Sequence, residues 1–158
     1  MDVPFHRYAD GHDLSELALE KCSNLPGICV DALNRTAIEL RAVDLVGARD
    51  HAVLIRTDDS WHWGTERYAK THPHLTADSA QRLVDAGVAC VGIDSLNIDS
   101  THDGNRPVHT TLLGVEIPIV EHLTNLGRLP ERVFTFSAVP PKIVGAGTST
   151  VRAHAFVP

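Results

Sequence analysis

Two continuous apolar runs, with a well-bounded helix leading into the second, constrain the fold more than any other feature. They are residues 52–55 in "HAVLIRTD" and the run "VACVGID". A strand that is apolar at every position is buried on both faces, which is typical of parallel sheets covered by helices. In "TADSAQRLVDAG", Thr76 stands at the N-cap, Ser79 at the third helical position, and Gly87 at the end. A helix followed at once by an apolar strand indicates an α/β fold.

The remaining apolar runs predict a mixed sheet within one domain. A strand is expected from Ile28 in "GICVDAL", and others in "IPIVEHL", "VFTFSAVP", "KIVG" and "TVRAHAFV". The last three alternate and have short links, so we expect an antiparallel or mixed part of the sheet there. Leucine spacing in "LSELALEKCSNL" predicts a short helix. The chain contains no repeat or linker, so we expect a single domain over residues 1–158, with helices flanking the sheet.

Charge and hydropathy argue against several classes of partner. The formal net charge is -6 at pH 7 and no basic run is present, so we expect neither nucleic acid nor an anionic membrane surface as a partner. No stretch approaches the roughly 20 apolar residues of a membrane span, and the start lacks signal-peptide features, so we expect a cytoplasmic protein. Cys22, Cys29 and Cys90 are odd in number and widely spaced, and we expect them reduced and mostly buried.

Histidine is the unusual residue of the composition. Ten in 158 residues is roughly three times the average usage, and histidine is both the commonest transition-metal ligand and the usual acid/base near neutral pH. Polar groups follow buried elements in three places: Asp2 with His6, the loop from Asp94 to His109, and Glu121 after "IPIV". A solvated tail, a helix cap and an exposed strand end are the alternatives for these places. A carboxylate buried there would need a counter-charge or a metal.

Four segments of the chain, in register, resemble the cyclase family, which includes bacterial kynurenine formamidases and isatin hydrolases. "MDVPFHRYADG" resembles the second half of the family signature His-x-Gly-Thr-His-x-Asp-x-Pro-x-His. "VGIDSLNID" resembles its Gly-Ile-Asp strand end, and "RPVHTTLLGVEIPIVEHLTNL" its His-x-x-Leu-Leu followed by Ile-x-Ile-x-Glu-x-Leu. "FSAVPPKIVGAGTSTVRAHA" resembles the closing strands, with Pro141 and Thr150 replacing the usual Leu and Pro. The resemblance covers nearly the whole chain.

The resemblance implies a metal-dependent hydrolase that cleaves a C–N bond of an amide, formamide or lactam in a small carbonyl substrate. By position, Asp2 would bridge two metal ions and His6 would be the catalytic acid/base. His109 would bind the second metal, and Glu121 would contact both. The family's usual metal is Zn²⁺, with Mn²⁺ in the isatin hydrolases. The implied fold is a swivelling β/β/α domain, and the implied assembly is a homo-oligomer, a dimer or a tetramer.

The first half of the signature, His-x-Gly-Thr-His, has no counterpart in the chain. Met1 falls where relatives commonly carry Leu. We therefore expect Met1 to be an internal methionine of a longer protein, whose upstream part holds the N-terminal strands and two metal-binding histidines. A shortened paralogue and a deliberate fragment are the other interpretations. For such a chain, the alternative function is a non-catalytic cyclase-like domain that serves in binding or assembly.

Three further residues have expected roles. Trp61 and Trp63 lie in the polar segment "WHWGTERYAKTHPHL", where a substrate ring could stack on them. Ordinary packing is the alternative for both tryptophans. Asp94 is expected to be structural, with its carboxylate satisfying loop amides at the end of a strand.

Overall fold

Six strands form a mixed sheet in which four neighbouring strands pair in parallel and the last two join through antiparallel pairings. The computed structural model describes residues 1–158. The strands are Leu25–Asp31 (β1), Ala37–Ile38 (β2), Ala52–Arg56 (β3), His74–Leu75 (β4), Cys90–Ile93 (β5), Ile119–Val120 (β6), Thr135–Ser137 (β7) and His154–Phe156 (β8). The helices are Glu66–Lys70 (α1), Ala77–Ala86 (α2) and Pro107–Leu113 (α3). The sheet order is β6-β5-β3-β1-β7-β8, and β2 pairs with β4 separately.

The predicted central strands are confirmed. β3 lies between β1 and β5 and runs parallel to both, with Val53 opposite Ile28 on one side and Val91 on the other. Residues 52–55 are fully buried, as their continuous apolar character predicts. Val53 and Ile55 enter the larger core with residues of α2 and α3, whereas Leu54 enters a second core with residues of β7. β7 pairs antiparallel with β1 and β8, so the expected mixed sheet is confirmed.

Helix α2 has the ends that its sequence predicts. The Oγ1 of Thr76 accepts a hydrogen bond from the Ser79 amide at 3.3 Å. Gly87 ends the helix in the left-handed conformation, with φ 69° and ψ 39°, which costs glycine little because it has no Cβ. Ala80 and Leu83 are fully buried in the larger core. None of the three helices is long and apolar enough to cross a membrane.

Two predicted elements are wrong. "LSELALEKCSNL" forms turns and a 3₁₀ helix at Leu19–Lys21 instead of a regular helix. The Asp13 carboxylate accepts both the amide and the hydroxyl of Ser15, and such local bonds compete with helix formation. "KIVG" forms no strand, because it leads into a turn at Gly145, whose amide donates to Asp13. The three cysteines are buried and unpaired, as expected.

The first residues of the chain are held against the sheet. The Asp2 amide donates to the Ile119 carbonyl at 2.8 Å, and the Ile119 amide donates back to the Asp2 carbonyl at 3.1 Å. The Val3 amide donates to the Gly147 carbonyl at 2.9 Å, and the Val3 side chain is fully buried. The alternative of a solvated tail is therefore wrong. The pairing places Asp2 opposite Ile119 of β6. Ile119 lies two residues before Glu121 in the chain.

The amides of Val3 and Ile119 are expected to resist hydrogen exchange, because each is hydrogen-bonded within a buried segment. The amide of Asp10, in an exposed turn, has no such bond and serves as the comparison. Exchange followed by NMR should find Val3 and Ile119 much slower than Asp10. Equal rates at Val3 and Asp10 would show that the first residues fray from the sheet.

Candidate metal centre

Three separate elements bring ionisable side chains to one end of β6. Asp2 is fixed by its backbone pairing with β6, and Glu121 directly follows that strand. His109 lies in the first turn of α3, which begins at Pro107 and packs into the larger core. His6 ends the short 3₁₀ helix Pro4–His6. The four residues predicted from the family resemblance are thereby brought close together.

The ligand atoms of this group converge on His109. Asp2, His6 and His109 each offer one ligand atom within 4.8 Å of the others. The Nε2 of His109 lies 3.6 Å from Asp2 Oδ2 and 3.6 Å from Glu121 Oε1. The His109 side chain is fully buried and that of Asp2 nearly so. Imidazole and carboxylate donors of this kind suit Zn²⁺ and Mn²⁺, so the set fits a divalent metal ion.

The pKa values of the two carboxylates in the cluster are shifted in opposite directions. Burial raises the pKa of Asp2, but the neighbouring side chains of His109 and Thr148 outweigh it and bring the pKa down to about 2. Burial raises the pKa of Glu121 above its ordinary value, and the charge of Asp2 adds to the rise. Burial also lowers the pKa of His6, which favours its neutral form. Two buried carboxylates facing one imidazole form a place where a cation is stabilised.

Asp99 and Asp94 are buried carboxylates that serve different loops. Asp94 follows β5 and accepts from the Thr57 amide at 2.7 Å, the Thr57 hydroxyl at 2.6 Å and the Asp58 amide at 3.0 Å. Its predicted structural role is confirmed. Asp99 instead accepts from His109 Nδ1 at 2.6 Å and from the His109 amide. The sequence placed Asp99 only within the polar loop from Asp94 to His109, because no local pattern links it to His109.

Arg106 is a second residue that sequence reasoning missed. Its guanidinium donates to His109 Nε2 at 2.8 Å and to His6 Nε2 at 3.3 Å. Its backbone is left-handed, with φ 48° and ψ 59°, directly before Pro107. Arg106 stands at the N-cap, outside α3, so helical spacing gave no signal for its contact with His109. Because a guanidinium only donates hydrogen bonds, the Nε2 atoms of His6 and His109 must each present a lone pair to it.

A cavity of about 890 Å³ opens beside the cluster. Asp2 and Glu121 line it together with apolar residues that include Leu54 and Phe136. Trp63 also lines this cavity and packs edge-on against Tyr68 and His122. Trp61 is 83% exposed and lines a separate cavity beside Arg56 and Asp58. The structure therefore places the two tryptophans at different cavities, and only Trp63 shares one with Asp2 and Glu121.

Comparisons with known proteins agree on one family. The cyclase family model, described as "Putative cyclase", matches residues 1–100. The kynurenine formamidase of Bacillus cereus is 30% identical over 156 residues, which cover 97% of this chain and 72% of that protein. The crystal structure of an isatin hydrolase bound to the product analogue thioisatinate superposes with a TM-score of 0.84 at 23% identity. The superposition covers 99% of this chain and 70% of the isatin hydrolase, and it shows that the two share a fold.

A further solved structure carries a functional description. A potential metal-dependent hydrolase with cyclase activity superposes with a TM-score of 0.80 at 25% identity. It covers 96% of this chain and 74% of that one. The mixed α/β fold expected from the resemblance is confirmed by these neighbours.

Replacing Arg106 by Met is expected to raise the affinity of the chain for a divalent metal ion. The guanidinium and the metal need the same lone pair on His109, so each excludes the other. A hydrogen bond to a charged group contributes about 1.5 kcal/mol or more. Its removal therefore corresponds to an increase in metal affinity of about tenfold or more. Competition with a chromophoric chelator measures the change.

Arg132→Met is the matched control for this measurement. It removes the same charge, but the Arg132 guanidinium contacts Val46 and Glu131 instead of the cluster. We expect its metal affinity to equal that of the wild type. An Arg106→Met affinity no higher than that of Arg132→Met would contradict the competition.

Proposed function

The chain belongs to the cyclase family and is a metal-dependent hydrolase of amide bonds, and on that premise we propose which of its residues carry the reaction. Asp2, His109 and Glu121 hold the divalent metal ion. His6 moves the proton. The observation that carries this proposal is the position of His109 Nε2, which faces carboxylate oxygens of Asp2 and Glu121 at 3.6 Å each.

The ligands suit a divalent ion by charge as well as by position. When bound, such an ion supplies a water of lowered pKa and a positive charge for the carbonyl oxygen. Asp2 and Glu121 offset that charge, since their two carboxylates can balance two positive charges. His109 contributes a neutral nitrogen lone pair from a side chain with no exposed surface. Zn²⁺ is the proposed metal and Mn²⁺ the second candidate, because both accept these donors.

His6 is placed for general acid/base catalysis. Its ring centre lies 5.8 Å from that of His109, so it stands beside the proposed ligands. Burial lowers its pKa, which keeps the imidazole neutral and able to accept a proton at neutral pH. As the water oxygen bonds to the carbonyl carbon, His6 takes one proton from it and passes this proton to the leaving nitrogen when the C–N bond breaks. The products are an amine and a carboxylic acid, which loses its remaining proton to solvent to give a carboxylate.

The substrate proposed is a small carbonyl compound with an apolar or aromatic part. The cavity beside the cluster joins polar walls at Asp2 and Glu121 to an apolar wall at Leu54, Phe136 and Trp63. The names of the relatives, kynurenine formamidase and isatin hydrolase, favour an N-formyl arylamine or a fused lactam. The family resemblance also supports a homo-oligomer.

His6→Gln is expected to lower kcat at least about 100-fold, because general acid/base groups contribute that much or more. The assay uses an N-formyl arylamine and isatin, with Zn²⁺ or Mn²⁺ supplied to the chain. Metal affinity is measured alongside and is expected to change far less than kcat. His12→Gln is the control, since His12 is exposed and paired with Glu116. A His6→Gln enzyme as active as His12→Gln would refute the assignment.

A further inference from the structure

Asp99 is a buried carboxylate that the proposed reaction does not use. Only 1% of its surface is exposed. Its Oδ1 accepts the Val108 amide at 2.7 Å, and its Oδ2 accepts both the His109 amide at 2.9 Å and His109 Nδ1 at 2.6 Å. Each oxygen of the carboxylate already accepts a backbone amide, so the group faces His109 Nδ1 as an acceptor.

The two nitrogens of His109 face partners of opposite hydrogen-bonding character. On one side the Asp99 carboxylate accepts, so Nδ1 carries the proton. On the other side the Arg106 guanidinium only donates, so Nε2 presents its lone pair. A single neutral tautomer satisfies both contacts. That tautomer directs the lone pair of Nε2 towards Asp2 and Glu121.

We propose that Asp99 is the positioning residue of the metal centre, which fixes the tautomer and ring orientation of His109 for metal binding. This inference rests on the proposed function, because it takes His109 as a ligand. Asp99 is the residue that the structure places on Nδ1, and it holds the backbone of His109 as well as the ring. Partners of this kind typically change metal affinity by about 10- to 100-fold when removed.

Asp99 also stabilises the first turn of α3, since it accepts two amides there. A test must therefore separate a loss of stability from a loss of positioning. Asp94 provides the matched control. It is also 1% exposed and also accepts three hydrogen bonds, but all come from Thr57 and Asp58 and none from a proposed ligand.

The experiment compares Asp99→Asn with Asp94→Asn. Urea unfolding measures stability, and competition with a chromophoric chelator measures the affinity for Zn²⁺. Both variants are expected to lose stability. Only Asp99→Asn is expected to lose Zn²⁺ affinity, by about 10- to 100-fold. Equal Zn²⁺ affinities in the two variants would overturn the proposal.

A second measurement needs no variant that could fail to fold. In the zinc-loaded wild-type chain, correlation of the His109 ring protons with ¹⁵N is expected to show a proton on Nδ1. A proton on Nε2 instead would overturn the positioning role. The proposed function fails in a different way: His109→Gln would then bind Zn²⁺ as tightly as the wild type. Loss of binding in His109→Gln with unchanged affinity in Asp99→Asn would reject the positioning role alone.

Discussion

Two backbone hydrogen bonds between Asp2 and Ile119 decide where the site lies. They join the first residues of the chain to β6, and Val3 is buried behind them. Because Glu121 follows β6 after Val120, the same pairing brings two carboxylates to one strand end. Helix α3 then places His109 against both. The cluster is therefore built from segments distant in the chain, and its geometry depends on the sheet that connects them.

The electrostatics of the cluster follow from this burial. The pKa of Asp2 is lowered by the neighbouring side chains of His109 and Thr148, whereas that of Glu121 is raised by burial and by the charge of Asp2. Negative charge concentrated in this way stabilises a cation. In the structure the Arg106 guanidinium contacts Nε2 of His6 and Nε2 of His109. The site is thus adapted to positive charge, which is what a metal-dependent hydrolase requires of its ligands.

Local signals predicted the centre of the fold, and long-range contacts account for what they missed. β3 and α2 were predictable because a continuous apolar run and helix-capping residues are local features of the sequence. The helix predicted from Leu14 was wrong because the Asp13 carboxylate binds the Ser15 amide, and leucine spacing does not reveal such a contact. The four site residues were predicted from the family resemblance, not from spacing. Asp99 was missed because its bond to His109 spans ten residues of irregular loop.

The most direct test of the proposed centre is anomalous diffraction from crystals of the chain grown with Zn²⁺. We predict one anomalous peak bonded to His109 Nε2 and to carboxylate oxygens of Asp2 and Glu121, at about 2.0–2.2 Å. The Arg106 guanidinium is expected to have left His109 Nε2, since the ion takes that lone pair. A peak at another group, such as His72 and His74, with no density beside His109, would contradict the account.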